Sequence, residues 1–179
     1  IPAGRLGGGP SIQGQGKYKI DAGHSTTIYN GECVKISSGY VVGGNGSAAD
    51  ILGVLNGIFF NAATTLKPTF SNFYKATITP ANSEDTTAFV IDDPFQQYVV
   101  AADAATGVTT FLETYDMNTS AGSDTTGKSS STLDIATTSA NGKQFRMLRS
   151  AEDPENEDAT AAFHSVVVVS TLNSFNGHN

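Results

Sequence analysis

Hydrophobic and polar residues alternate with a period of two along most of this chain, which is the pattern of β-strands with one buried face. The alternating segments are rich in Val, Ile, Thr, Tyr and Phe, the residues that fit a pleated, half-buried surface. No segment has the period of an amphipathic helix, although one or two short turns are expected near 48–52. The predicted strands are 17–20, 25–29, 32–36, 40–42, 51–60, 72–78, 88–91, 95–101, 108–114, 143–148 and 162–172.

Turn residues separate these segments, and Asn30-Gly31 is a strong signal for a two-residue hairpin. Short strands spaced by roughly ten residues predict an all-β fold, an antiparallel β-sandwich or barrel. The first sixteen residues contain six glycines and two prolines and no sustained pattern. Such a segment is either an irregular terminus or an arm that orders against a partner, and we predict an extended N-terminal arm at 1–16, followed by a single β-rich domain at 17–179.

Composition and charge exclude several classes of function. The chain has 179 residues, of which 39% are hydrophobic and only 15% charged, and no apolar run approaches the length that spans a bilayer as a helix. Its net charge is −7, and its three arginines and few lysines form no basic cluster. Because nucleic-acid binding normally needs such a cluster, we predict no nucleic-acid partner. Since no apolar run is long enough to span a bilayer as a helix, we also predict no membrane partner.

The sequence also contains no recognisable arrangement of catalytic residues. Cys33 is the only cysteine, so it can form no disulfide within the chain, and we interpret it as a packing residue. His24, His164 and His178 are far apart in different contexts, and Asp92-Asp93 before a proline is ordinary turn chemistry. The acidic run at 152–158 lacks the spacing of a calcium loop and is interpreted as a solvated loop. We predict no enzymatic activity, no cofactor and no metal site.

One motif imitates a nucleotide site. Residues 122–129, GSDTTGKS, match the P-loop pattern, in which Lys128 would reach phosphates and Ser129 would hold magnesium. A functional P-loop needs a buried strand before it and a helix after it, and the flanking sequence predicts neither. We therefore interpret this match as coincidental.

With these functions excluded, the remaining candidate for function is a surface that contacts another protein or a second copy of the chain. Aromatic residues concentrate around 59–74, and exposed aromatics on a small β domain usually mark a partner site. The valine run 166–169 lacks alternation, so both faces should be covered, either in a central strand, which the pattern favours, or at an interface. The candidate residues for contact with a second copy or with a partner are Phe59, Phe60, Phe70, Phe73, Tyr74, Val167 and Val169.

Six short blocks, in order and spacing, resemble those of the capsid decoration (cement or head-stabilising) proteins of tailed bacteriophages. Tyr74 stands where that family often has tryptophan, and the acidic loop at 151–158 has no counterpart in it. The blocks are RLGGGP at 5–10, IYNGECVK at 28–35, GVLNGIFF at 53–60, PTFSNFY at 68–74, AFVIDDP at 88–94 and TTGKS at 125–129.

The resemblance implies a structural virion protein, made in the bacterial host cytoplasm and bound to the outer surface of an icosahedral head. It would assemble with itself, commonly as a homotrimer, and stabilise contacts between neighbouring subunits of the major capsid protein. The arm would contact the shell, with Arg5, Leu6, Pro10 and Ile12 as its candidate residues. The alternative is a carbohydrate- or receptor-binding β-sandwich module of the virion, which predicts exposed aromatics on loops rather than on strands.

Overall fold

The computed structural model describes residues 2–5, 14–44, 46, 50–118, 122–155 and 158–175, with the backbone alone for 2–5. Short 3₁₀ turns lie at Ala81–Ser83 and Val108–Thr110. The strands are β1 (Pro2–Arg5), β2 (Gly16–Ile20), β3 (Cys33–Ser37), β4 (Tyr40–Gly43), β5 (Gly53–Asn61), β6 (Pro68–Ser71), β7 (Thr86–Ile91), β8 (Gln96–Ala101), β9 (Thr114–Met117), β10 (Leu133–Ser139), β11 (Phe145–Ser150) and β12 (Ser165–Ser170).

These strands form two antiparallel sheets that pack against each other, which confirms the predicted all-β sandwich. The first sheet has the order β1-β8-β12-β11-β9-β10, and the second has the order β2-β7-β5-β3-β4. Strand β5 is long enough to pair with β3 along its first half and with β6 along its second half. This leaves β6 at an edge of the second sheet.

Two hydrophobic cores stabilise the fold. The first lies between the sheets, where Cys33, Val54 and Ile91 of the second sheet face Tyr98 and Phe145 of the first. The second core lies on the opposite face of the second sheet, which curls so that β2 and β4 approach each other. Its members are Ile20, Ile28, Val34, Val41, Leu52, Leu55, Ile58, Tyr74, Ala88 and Val90. Burying each of the larger side chains contributes about 1.5–3 kcal/mol.

The valine run behaves as a central strand. Strand β12 pairs with β8 on one side and with β11 on the other, and all four valines from Val166 to Val169 are buried. The prediction that both faces of this strand are covered is therefore confirmed. The cover comes from the chain itself, because no second copy is needed to bury these residues.

Several predicted strands are misplaced. The Asn30-Gly31 turn joins no hairpin, since the Tyr29–Glu32 turn precedes β3 and Ile28 pairs with Tyr74 instead. The two-residue hairpin closes at Ser38-Gly39, whose φ values of 51° and 87° suit a type I′ turn between β3 and β4. The predicted strands 72–78 and 108–114 are mostly turns, and the regular strands lie beside them as β6 and β9.

The N-terminal arm differs from its prediction at both ends. Residues Pro2–Arg5 pair with β8 at the edge of the first sheet, so this segment has a partner within its own chain. Gly16, the last residue of the predicted arm, already begins β2. Of the arm residues proposed to contact a shell, Arg5 lies in β1, whereas Leu6, Pro10 and Ile12 lie outside the described residues.

Candidate functional site

Three of the sequence blocks that carry the family resemblance come together in space. The segment 28–31 contacts both the 71–74 segment and the 125–129 segment. Asn30 forms a parallel bridge with Lys128, and the ring of Tyr29 stacks on that of Phe73 with centroids 5.9 Å apart. Asn72 adds a hydrogen bond from Nδ2 to the carbonyl of Thr126 at 2.9 Å. The contacts among these three blocks therefore hold the 122–129 loop against the second sheet.

The geometry of that loop is not that of a P-loop. Tyr29 donates a hydrogen bond to Asp124 at 2.8 Å, and Lys75 forms an ion pair with the same carboxylate at 3.3 Å. Gly127 has a φ of 69° and lies so close to Phe73 that a Cβ would collide with its ring. Within the described residues, no helix follows Ser129, because the chain continues through 130–132 into β10. The backbone groups of this loop thus form hydrogen bonds with other parts of the same chain.

We expect no binding of ATP or GTP by the intact chain, and no change on Lys128→Ala, because the loop lacks the strand and helix that aim backbone amides at phosphates. Titration with a fluorescent ATP analogue in the presence of magnesium measures this directly. Micromolar binding that Lys128→Ala abolishes would contradict the interpretation.

The candidate contact residues do not share one surface. Tyr74 is 1% exposed and donates its hydroxyl to the carbonyl of His24, and Val167 and Val169 are 2% and 4% exposed in β12. Since these three side chains lie inside the folded chain, their assignment to a contact surface is wrong. Phe60 is half-buried against the second core, and Phe73 is partly covered by its stacking on Tyr29.

The remaining two candidates, Phe59 and Phe70, do lie together and are exposed. They are directly paired across β5 and β6, and 38% of Phe59 and 64% of Phe70 is exposed. The ring of Phe70 also contacts that of Phe89 on β7, with centroids 6.1 Å apart. We call the surface formed by Phe59, Phe70 and Phe89 the phenylalanine face.

Strand geometry places the three rings of the phenylalanine face on the same side of the second sheet. Alternation along β7 buries Ala88 and Val90 and turns Phe89 to the other side. Gly57, which pairs with Phe89, makes room for the Phe70 ring, because a Cβ at Gly57 would lie only 2.7 Å from that ring. Sequence reasoning missed Phe89, although its position between two buried apolar residues is a signal that could have found it.

Charged residues border the phenylalanine face on its β2 side. Lys17 pairs with Phe89 and Lys19 with Thr87, and both lysines are exposed. Next to Phe59, a small cavity of about 120 Å³ is lined in part by Lys19, Glu84 and Asp85. An aromatic centre with a charged rim is the composition of a protein-docking surface.

The other candidate chemistry is dispersed or occupied. His164 is buried, with Nδ1–H donating to the Ala161 carbonyl at 2.9 Å and Nε2 within hydrogen-bond distance of the Thr106 hydroxyl, at 2.6 Å. Asp93 accepts the backbone N–H of Phe95, which is the predicted turn chemistry. Within the described part of the chain, no group of three His, Cys, Asp or Glu residues could hold a metal. Likewise, none of the helices described there is long and apolar enough to cross a membrane.

Cys33 is a packing residue, as predicted, and its chemistry gives a stability prediction. Burial, followed by the nearby charge of Glu32, raises the pKa of the Cys33 thiol to about 12, and burial also raises the pKa of Tyr98. In the unfolded chain these groups ionise near their ordinary values, about 8.5 and 10. Above those values the unfolded state holds fewer protons than the folded state, so the free energy of unfolding must fall as pH rises.

We therefore expect stability to decline above about pH 8.5, by up to about 1.4 kcal/mol per pH unit for each group. Urea denaturation at a series of pH values measures the decline. Cys33→Ala removes the thiol, so its decline should begin only near the phenol range, about pH 10. Identical profiles for the two proteins would show that the thiol is not protected by the fold.

No family model, curated protein or solved structure matches this chain. Function must therefore be argued from the phenylalanine face and the sequence blocks themselves.

Proposed function

We propose that this chain is a structural binding protein of a bacteriophage head, a capsid decoration protein on the outer surface of the shell. The observation that carries the proposal is the phenylalanine face, where the described residues leave Phe59 and Phe70 exposed side by side next to the half-buried Phe89. Phenylalanine is enriched in protein interfaces, and adjacent exposed apolar side chains, unlike single ones, mark interaction sites.

The resemblance of the six sequence blocks specifies the partner as the major capsid protein. Three of those blocks, at 28–31, 71–74 and 125–129, build the support behind β6, the strand that carries Phe70. A net charge of −7 also suits a surface that faces away from packaged DNA. The proposal gives the chain no enzymatic activity and no cofactor.

Self-association belongs to the same proposal. We propose a homotrimer, because closed symmetry presents several copies of one docking surface to a shell and adds their affinities. The mass of the purified protein by light scattering, at tens of micromolar, distinguishes a trimer from a monomer. A monomeric mass both in solution and when eluted from heads would contradict the trimer.

The deciding experiment is decoration of heads. Purified chain is mixed with heads of the phage or prophage whose genome encodes it, prepared without this protein, and the pellet is analysed after sedimentation. We expect saturable, stoichiometric binding that electron microscopy places on the outer surface. Absence of bound protein at saturating concentration would refute the proposal.

A specific observation favours the alternative of a glycan-binding module. Phe95, Phe163 and Phe175 are exposed on connections rather than strands, which is the arrangement predicted for that function. The exposed aromatics of the phenylalanine face lie on strands and favour a protein partner. Screening the purified chain against immobilised glycans separates the two, since a decoration protein should retain none of them.

A further inference from the structure

A large cleft between the two sheets is not explained by docking to a shell. Its volume is about 750 Å³, within the range of about 300–1,000 Å³ typical of small-molecule sites. One wall is formed by Cys33, Val54 and Ile91 of the second sheet, and the facing wall includes Phe145 and Val168 of the first sheet. These side chains belong to the first hydrophobic core and are only 1–9% exposed, so they form the floor of an open cleft.

The space is an open cleft rather than a sealed void, because the core side chains that touch it are at most 9% exposed. Clefts lined mainly by apolar side chains are typical of small-molecule sites. Since the walls of this cleft are mainly apolar side chains, its natural occupant is an apolar molecule rather than ordered water.

The mouth of the cleft has a different chemistry from its walls. The segment 128–132 lines the cleft, and its exposed residues Lys128 and Ser130 lie at the mouth. Lys128 is the only charged residue among the lining residues described, and it is exposed. Among the described residues its ammonium group forms no ion pair, whereas Lys75 and Lys143 each have a carboxylate partner.

From this arrangement we propose that the cleft binds a single long alkyl chain with a carboxylate head, that is, a fatty acid. The alkyl chain lies along the apolar lining of the cleft, over Val100 and Phe163, and the carboxylate lies at the mouth beside Lys128. This assigns a role to the lysine of the false P-loop, as a cationic partner for a carboxylate. The inference is independent of the proposed decoration function.

Binding can be measured with palmitate as the probe, by native mass spectrometry and by isothermal titration. We expect one palmitate per chain, and Lys128→Gln should weaken its binding about fivefold, the value of an exposed ion pair. Hexadecanol, which has the same chain without the charge, should bind wild type and Lys128→Gln equally. Lys67→Gln is the matched control, because Lys67 is exposed and does not line the cleft.

Two further measurements place the ligand in the cleft. Val100→Trp, which adds bulk to a lining residue of β8, should abolish palmitate binding. Palmitate should also shift the backbone amide NMR signals of Val100, Ser130 and Phe163 in the unaltered protein, and this second readout stands even if Val100→Trp fails to fold. The double variant Phe59→Ser/Phe70→Ser should bind palmitate normally. No palmitate binding by wild type, or unchanged signals of these three residues with palmitate bound, would overturn the proposal.

Discussion

Replacing Phe59 and Phe70 together by serine is expected to weaken binding to phage heads by at least about 100-fold, while the chain remains folded. Interface anchors of this type each cost about 2 kcal/mol or more when truncated, and two of them correspond to a factor well above 100 if they act independently. The fold should survive because both side chains are already substantially exposed and neither belongs to the two hydrophobic cores.

The measurement is a sedimentation titration of heads with wild-type and variant chains, with circular dichroism and urea denaturation as tests of folding. Val108→Ser is the matched control, because Val108 is 79% exposed and lies in the connection between β8 and β9, away from the phenylalanine face. The control should bind like wild type. If the double variant decorates heads with unchanged affinity, the phenylalanine face is not the docking surface, whatever the function of the chain.

The all-β fold was predictable because its signal is local and repeated. Alternation placed β2, β3, β4, β5, β7, β8, β11 and β12 close to their observed positions. At β6 and β1 the alternation pattern failed, because these two strands depend on pairing with other segments. Strand β6 contains Pro68 and only four residues, and it exists because it pairs with the second half of β5. Strand β1 likewise depends on β8, distant in sequence, and a Gly- and Pro-containing segment carries no local signal for it.

The candidate surface was predictable only in part, since exposure depends on which face of each strand the fold covers. Phe70 and Tyr74 are four residues apart in one aromatic segment, yet Phe70 is exposed and Tyr74 lies inside the second core. The difference arises because β6 ends at Ser71 and the chain then turns, so that Tyr74 pairs with Ile28 rather than continuing the strand. Such a turn is invisible to a two-residue period.

Polar contacts between the sheets were the least predictable feature, and Gln144 is the clearest case. It precedes β11, is fully buried, and bridges the two sheets. Its Oε1 accepts the backbone N–H of Met117 in the first sheet at 3.0 Å, and its Nε2 donates to the carbonyl of Gly44, just after β4 of the second, at 2.7 Å. In the sequence Gln144 belongs to the predicted strand 143–148, and nothing in that pattern indicates that its amide group spans the two sheets.

We expect Gln144→Leu to lower the free energy of unfolding by about 3 kcal/mol, because it leaves two buried backbone groups without partners at about 1–3 kcal/mol each. Leucine has a similar volume, so the loss would come from the unpaired N–H and carbonyl rather than from a cavity. The nearby Lys143–Asp116 ion pair, at 2.9 Å, does not include the Gln144 side chain and should persist.

Urea denaturation of Gln144→Leu beside Gln15→Leu measures this effect, since Gln15 is exposed and lies before β2. The control should differ from wild type by less than about 0.5 kcal/mol, as is usual for surface substitutions. Gln144→Glu offers a second comparison. It still accepts the N–H of Met117, but it cannot donate to Gly44 when ionised and adds a negative charge close to Asp116, so it should also destabilise the chain. If both Gln144 variants unfold at the same urea concentration as the control, the two sheets are held together by their apolar contacts alone.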